Sequence, residues 1–203
     1  MPPSLRLDRI DEATPGDRLP PGWAVREVRG EEVPETRVVE IDAVRALRFS
    51  ADGAAAWFWR ELDAPLDPAA GRVEWRWRVD EAVEAAELAD PDLDDAPARF
   101  FVVFGRGGLF SSPRMIFYSW GRREPLGTAM RSYVSDRIGV VVVRNGSSPT
   151  GTWIDDERDL AADYRAVFGG SPDEVTAVGF MIDTDQTGAA ATSFLAALAW
   201  RTR

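Results

Sequence analysis

The segment that decides the fold is RVEWRWRV, residues 72–79. Valine and tryptophan occupy every second position, and glutamate or arginine occupies each position between them. A period of two is typical of a β-strand that buries one face and exposes the other to solvent. We therefore expect Trp75 and Trp77 to belong to the core of a β-protein.

Most of the remaining chain consists of similar short apolar segments bounded by turn residues, which favours an all-β sandwich. Further strands are predicted over residues 23–28, 37–41, 44–49, 54–62, 99–104, 114–120, 138–144 and 175–182. Residues 192–202 are rich in Ala and Leu, which favour a helix, but a strand returning to a sheet fits the context better.

One segment shows helical spacing. Residues 155–168 place Leu160, Tyr164 and Phe168 four residues apart, and Gly169 can end a helix there. The acidic residues at its start are interpreted as helix capping, and the acidic segment 81–95 as a surface loop with a helical turn. Without a repeat or a long linker, residues 1–203 are predicted to form a single domain.

Composition excludes several kinds of chemistry. The 203 residues include no Cys, His or Lys, so all 24 basic residues are Arg. This excludes disulfides, thiol nucleophiles, Ser-His-Asp triads and Schiff bases. The net charge of −10 makes nucleic acid and anionic membranes unfavourable partners. No membrane span or signal sequence is recognised, so a soluble protein is expected, either cytoplasmic or the mature form of an exported one.

Two carboxylates and an arginine lie at the entrance to a buried strand, as Asp94, Asp95 and Arg99. In one interpretation Arg99 pairs with a nearby acid and ties the loop to the sheet. In the other, the carboxylates anchor a ligand or a metal ion.

Asp183 and Asp185 belong to the sequence DTDQTG, residues 183–188, which follows another apolar strand. Oxygen ligands two residues apart in a loop that ends in glycine are used for calcium. The alternative is a turn in which Asp and Thr side chains accept hydrogen bonds from backbone N–H groups. Calcium is the only cofactor that the sequence suggests.

Several motifs, in this order, resemble those of the domain-of-unknown-function family 3047 (DUF3047). They are Trp75 and Trp77; Asp94, Asp95 and Arg99; Tyr118 and Trp120; Gly151 and Trp153; Arg158, Asp159, Asp163, Tyr164, Phe168 and Gly169; and Asp183, Thr184, Asp185, Thr187 and Gly188. The resemblance is strongest over residues 54–203, and Gln186 stands where the family pattern has Asn. It implies an antiparallel jelly-roll-like (concanavalin-like) β-sandwich with no established activity.

Aromatic and acidic residues near strand ends suggest binding of a carbohydrate or a similar polar ligand. The aromatic candidates are Trp57, Trp59, Tyr118, Trp120 and Trp153. The predicted ligand-binding residues are Asp94, Asp95, Arg99, Tyr118, Trp120 and Trp153.

Two alternatives remain open, a carboxylate-based glycoside hydrolase and a structural or partner-binding sandwich without a small ligand. No catalytic residue is predicted, because the Glu-x-Asp-x-x-Glu strand of glucanases with this fold is absent from the sequence. The sequence leaves the oligomeric state open.

Overall fold

A computed structural model describes residues 4–107 and 112–203 and is dominated by β-strands. The strands are β1 (Ser4–Arg6), β2 (Trp23–Glu27), β3 (Glu35–Ile41), β4 (Val44–Asp52), β5 (Ala55–Leu66), β6 (Gly71–Glu81), β7 (Ala96–Phe104), β8 (Arg114–Trp120), β9 (Ala129–Arg131), β10 (Ile138–Arg144), β11 (Ile154–Arg158), β12 (Val175–Asp183) and β13 (Ala190–Thr202). The α-helix α1 spans Leu160–Phe168, and a 3-10 turn spans Ile10–Glu12. No helix among the described residues has the length and apolar character to cross a bilayer.

The strands form two sheets. The six-stranded sheet has the order β11-β6-β13-β4-β3, and β1 pairs with the second half of β13. The seven-stranded sheet has the order β2-β5-β12-β7-β8-β10-β9. The mostly β, jelly-roll-like sandwich with one short helix is thereby confirmed. One pair departs from the antiparallel pattern: β8 and β10 are parallel, because residues 121–137 carry the chain back before β10 begins.

Strand β6 carries the RVEWRWRV segment, and its apolar face lies between the sheets. Trp75 and Trp77 are 1% and 0% exposed. The Trp75 ring lies 4.7 Å from that of Phe100, and the Trp77 ring lies 5.5 Å from that of Trp120. The predicted core role of both tryptophans is confirmed, and each large apolar side chain buried in this way contributes about 1.5–3 kcal/mol to folding.

The structure corrects the prediction for residues 155–168. Its first part is strand β11, paired with β6, and only α1 is helical. Arg76 on β6 lies directly opposite Asp155 on β11 and donates two hydrogen bonds to its carboxylate. This cross-strand charge pair stabilises the acidic segment as a strand. Helix capping is therefore wrong for Asp155 and the two acids after it, whereas Asp159 caps α1 by accepting a hydrogen bond from the backbone N–H of Ala162.

Two other segments were ambiguous in sequence. Residues 192–202 belong to β13, as the context predicted. Residues 82–95 form turns, without the helical turn that was expected.

The outer face of the seven-stranded sheet is also apolar. A second cluster of buried residues, including Phe101, Phe117 and Met181, covers it, and Trp57 and Trp59 pack against this cluster. Gly179 makes the arrangement possible, because a Cβ atom at this position would lie 2.2 Å from the Phe101 ring. This outer apolar layer forms the floor of the site described next.

Candidate functional site

The strand order brings the separate acidic motifs together. Strands β7 and β12 are antiparallel neighbours, with Asp183 opposite Ala96. The start of β7 and the end of β12 therefore lie at the same edge of the sheet. The carboxylates before β7 meet there with Asp183 and Asp185, in a group we call the acidic cluster (Asp94, Asp95, Asp183 and Asp185).

Arg99 is the centre of a buried ion-pair network at this edge. Its Nη1 donates a hydrogen bond of 2.7 Å to Asp183 Oδ2. Its Nη2 donates to the backbone carbonyl of Asp94 at 2.9 Å and to the Asp94 carboxylate. Because Arg99 is only 5% exposed, these charges are largely shielded from solvent. The interpretation that Arg99 ties the loop to the sheet is confirmed.

Asp95 and Thr184 organise the loop after β12. Asp95 Oδ2 accepts hydrogen bonds from the backbone N–H of Thr187 at 2.9 Å and from its hydroxyl at 2.5 Å, and Oδ1 accepts one from the Gln186 N–H at 3.3 Å. Thr184 Oγ1 accepts a hydrogen bond from the Ala54 N–H at 2.9 Å. The turn interpretation therefore accounts for Thr184 and Asp95, and it leaves Asp183 and Asp185 without a role in backbone hydrogen bonding.

Burial and crowding perturb the carboxyl groups. The pKa of Asp183 is raised to about 8. Desolvation is the largest cause, the charges of Asp185 and Asp95 act in the same direction, and Arg99 opposes the shift. Desolvation also raises the pKa of Asp94, and Arg99 opposes this shift. Burial alone would lower the pKa of Arg99, but the charges of Asp94, Asp183 and Asp95 outweigh it and keep the guanidinium ionised.

A pocket of about 180 Å³ opens beside this network on the outer face of the seven-stranded sheet. Its floor is apolar and includes Trp57, Phe117, Val140 and Met181. Its polar lining consists of Asp94, Arg99, Ser132, Tyr133, Asp183, Asp185 and Gln186. An apolar floor beside a few converging polar groups is typical of a small-molecule site.

The loop after β9 reaches over the pocket. It carries Tyr133, which lines the pocket together with Asp94. Tyr133 and Val134 remain 46% and 65% exposed. Desolvation, with the Asp94 charge, raises the pKa of Tyr133, so the phenol stays protonated and can donate a hydrogen bond.

A second hollow of about 500 Å³ lies further along the same face and is lined by Trp59, Arg26, Glu61 and Thr176. The guanidinium of Arg26 lies 3.6 Å from the centre of the Trp59 ring. The Phe101 ring lies 5.6 Å from Trp57 and 5.5 Å from Trp59. It thus connects the two tryptophans, one in each depression.

None of the three aromatic residues predicted to bind a ligand lines this pocket: they are Tyr118, Trp120 and Trp153. Tyr118 and Trp120 are 0% and 1% exposed and face the core between the sheets. The Tyr118 hydroxyl donates a 2.9 Å hydrogen bond to Asp163 on α1, which makes it a link between sheet and helix. Trp153 packs against Phe194 in an apolar cluster at the six-stranded sheet, separate from the one that floors the pocket.

Sequence reasoning missed several of the lining residues, among them Phe117 and Tyr133. Phe117 and Tyr118 are neighbours in β8, so their side chains lie on opposite faces of the sheet. The sequence does not show that Phe117 lies on the outer face and Tyr118 on the inner one. Tyr133 lies outside every motif that we identified. Trp57 was named among the aromatic candidates but not among the predicted site residues, although the W-x-W spacing shared with Trp59 placed both side chains on one face.

Comparison with known proteins identifies similar folds. The chain superposes on a family 11 carbohydrate-binding module from Clostridium thermocellum, solved with a β-1,3-1,4-mixed-linked tetrasaccharide, with a TM-score of 0.55 and 11% identity over 98% of this chain and 95% of the module. It also superposes on the family 11 module of the Clostridium thermocellum cellulase Lic26A-Cel5E, with a TM-score of 0.55 and 9% identity over 100% of this chain and 96% of that one.

A β-1,2-glucanase from Parabacteroides distasonis has a TM-score of 0.52 and 11% identity over 99% of this chain but only 25% of its own length. At these identities the likeness concerns the fold alone. No curated protein sequence is significantly similar to this chain. Residues 21–199 match the family described as "Protein of unknown function (DUF3047)", and the chain belongs to that family.

Proposed function

We propose that this protein binds a neutral carbohydrate on the outer face of its seven-stranded sheet, in the pocket beside Trp57. The observation that carries the proposal is the position of a half-buried indole next to a buried network of carboxylates and a guanidinium, in one open pocket. A sugar ring has apolar C–H faces and a polar rim of hydroxyls, and this pocket offers surfaces that match both.

The polar lining favours an uncharged ligand. Three carboxyl groups and one guanidinium line the pocket. Carboxylates accept hydrogen bonds from hydroxyls, and Arg99, Tyr133 and Gln186 supply donors. A phosphate or a uronic acid would face the carboxylates, whose like charge opposes binding.

The second hollow favours a ligand longer than one sugar unit. Trp57 and Trp59 are two residues apart on β5, so their positions along the strand differ by about 7 Å. A chain that follows the sheet face would meet Trp57 in the pocket and the stacked Arg26–Trp59 pair in the second hollow. The fold supports the choice of ligand, since the family 11 module solved with a mixed-linked tetrasaccharide shares it.

Titration of the purified protein with β-1,3-1,4-linked tetrasaccharide and a panel of neutral oligosaccharides tests this proposal. We expect binding by the wild type and at least a tenfold loss of affinity, about 1.4 kcal/mol, for Trp57→Ala. Trp153→Ala is the matched control, because it removes the same ring from a cluster at the other sheet. No binding to any glycan, or an equal loss in both variants, would overturn the proposal.

Hydrolysis is the second candidate, and the geometry supports it less. The acid and the nucleophile of a retaining glycosidase flank the bond that is cleaved, whereas Asp95, Asp183 and Asp185 form a single group in which one oxygen of each lies within 4.8 Å of the others. These carboxylates gather at one edge of the sheet. New reducing ends after incubation with the same oligosaccharides would show that the site is catalytic.

A further inference from the structure

Three members of the acidic cluster approach one another more closely than their charges favour. Asp95, Asp183 and Asp185 each contribute an oxygen, and all of these lie within 4.8 Å of one another. Asp95 and Asp183 are 0% and 5% exposed, and Asp185 is half-buried. Like charges at this distance repel strongly when solvent is excluded.

Two oxygens of the cluster are buried without a hydrogen-bond partner. They are Asp183 Oδ1 and Asp185 Oδ1, and no donor among the described residues reaches either atom. The neighbouring oxygens are satisfied: Asp183 Oδ2 accepts from Arg99, and both oxygens of Asp95 accept from the loop. Because buried carboxylate oxygens are nearly always paired, two unpaired ones within one cluster point to a ligand that binds there.

Among the described residues, the fold brings the Asp183 and Asp185 carboxyl groups against each other without placing a cation between them. Arg99 occupies only one oxygen of Asp183, and the Asp183 and Asp185 carboxyl groups are close enough to interact directly. The loop itself is held by Thr184 and by Asp95. Within the described residues, Arg99 is the one arginine that pairs with the four carboxyl groups of the cluster, and it pairs only with Asp94 and Asp183.

We propose that Asp95, Asp183 and Asp185 bind a calcium ion. All available ligands are oxygens, and the chain contains no His or Cys that would favour zinc or copper. Calcium accepts about 6–8 oxygen ligands in flexible geometry, including backbone carbonyls and water, so three carboxylates on two segments are a suitable nucleus. A bound cation would join the start of β7 to the loop after β12 and fix Gln186 at the pocket. The proposal stands independently of carbohydrate binding.

The test is calorimetric titration of chelator-treated protein with calcium chloride in the absence of any sugar. We expect one bound calcium ion per chain and a higher melting temperature with calcium than with chelator. Asp185→Asn keeps the size of a half-buried side chain and is expected to weaken calcium binding at least tenfold. Asp155→Asn, which removes an exposed acid on β11, is the control and should bind as the wild type does.

Terbium luminescence provides a second measurement that does not depend on heat or unfolding. Terbium occupies calcium sites, and Trp57 in the adjoining pocket is positioned to sensitise it. We expect a signal that calcium displaces and that Asp185→Asn reduces. Absence of calcium binding, equal effects of the two variants, or magnesium binding as tight as calcium would each overturn the proposal. Failure to bind glycans would leave it intact.

Discussion

Arg99 provides a sharp test of the buried network. Substitution by Met keeps most of the side-chain length but leaves Asp94 and Asp183 without their cation, in a site where Arg99 was 5% exposed. At a pH above about 8, where Asp183 is ionised, removing one partner from a buried ion pair costs about 3–5 kcal/mol, because the remaining charge is stranded. We expect Arg99→Met to lower the free energy of unfolding by that amount.

Urea unfolding followed by tryptophan fluorescence measures this loss. With a slope of about 2–3 kcal/mol per molar urea, the expected shift of the midpoint is about 1–2.5 M. Chelator should be present throughout, so that cation binding does not contribute. The control is Arg76→Met, since Arg76 and Asp155 form an ion pair with side chains 37% and 67% exposed. A pair of this kind contributes less than about 1 kcal/mol.

A double variant examines the physical reason for the loss. If stranded charge is the cause, Arg99→Met combined with Asp183→Asn should be more stable than Arg99→Met alone, although each single change is destabilising. A loss below about 1 kcal/mol for Arg99→Met, equal losses at Arg99 and Arg76, or simple addition in the double variant would refute the reasoning.

Three further predictions concern the surrounding structure. Gly179→Ala should destabilise the fold by more than about 2 kcal/mol in urea unfolding, since the new Cβ would lie 2.2 Å from the Phe101 ring. Gly107→Ala should be close to neutral, because among the described residues beyond its chain neighbours the nearest atom to the new Cβ is Pro113 Cδ at 3.9 Å. Tyr118→Phe should cost about 1.5–3 kcal/mol by removing a buried hydrogen bond to a carboxylate, without changing glycan affinity; a change in affinity would contradict its core role. Burial raises the pKa of Asp8 above 3.8, so its folded form holds a proton that the unfolded chain has lost. Stability should therefore fall, relative to Asp8→Asn, as the pH rises above about 4; a rise would contradict this.

Local pattern was sufficient for much of the fold. The alternation around Trp75 and Trp77 identified a half-buried strand, and most other strands followed from similar segments. Local pattern gave the wrong prediction for residues 154–158, because the strand there is stabilised by pairing with β6, where Arg76 lies far away in sequence. A short acidic segment before a helix has the same appearance in sequence whether it caps that helix or pairs with a basic strand.

The site was predictable in its parts but not in its assembly. Asp94, Arg99 and Asp183 were recognisable as motifs, yet their convergence depends on β7 and β12 being neighbours. Tyr118 and Trp120 were assigned to the ligand because they are aromatic and near a strand end. Their burial depends on which face of β8 is turned inward, and a shift of one residue would reverse it.

The position of the acidic cluster bears on its purpose. The core between the sheets is filled by apolar side chains such as Trp75, Phe100 and Phe180. The network around Arg99 lies instead on the outer face of one sheet, beside an open pocket. Burying charges there costs desolvation energy that apolar residues of the same size would avoid. Two of its buried oxygens also lack partners among the described residues, and this combination of desolvated charge and unpaired oxygens is the reason for proposing that the cluster binds a ligand.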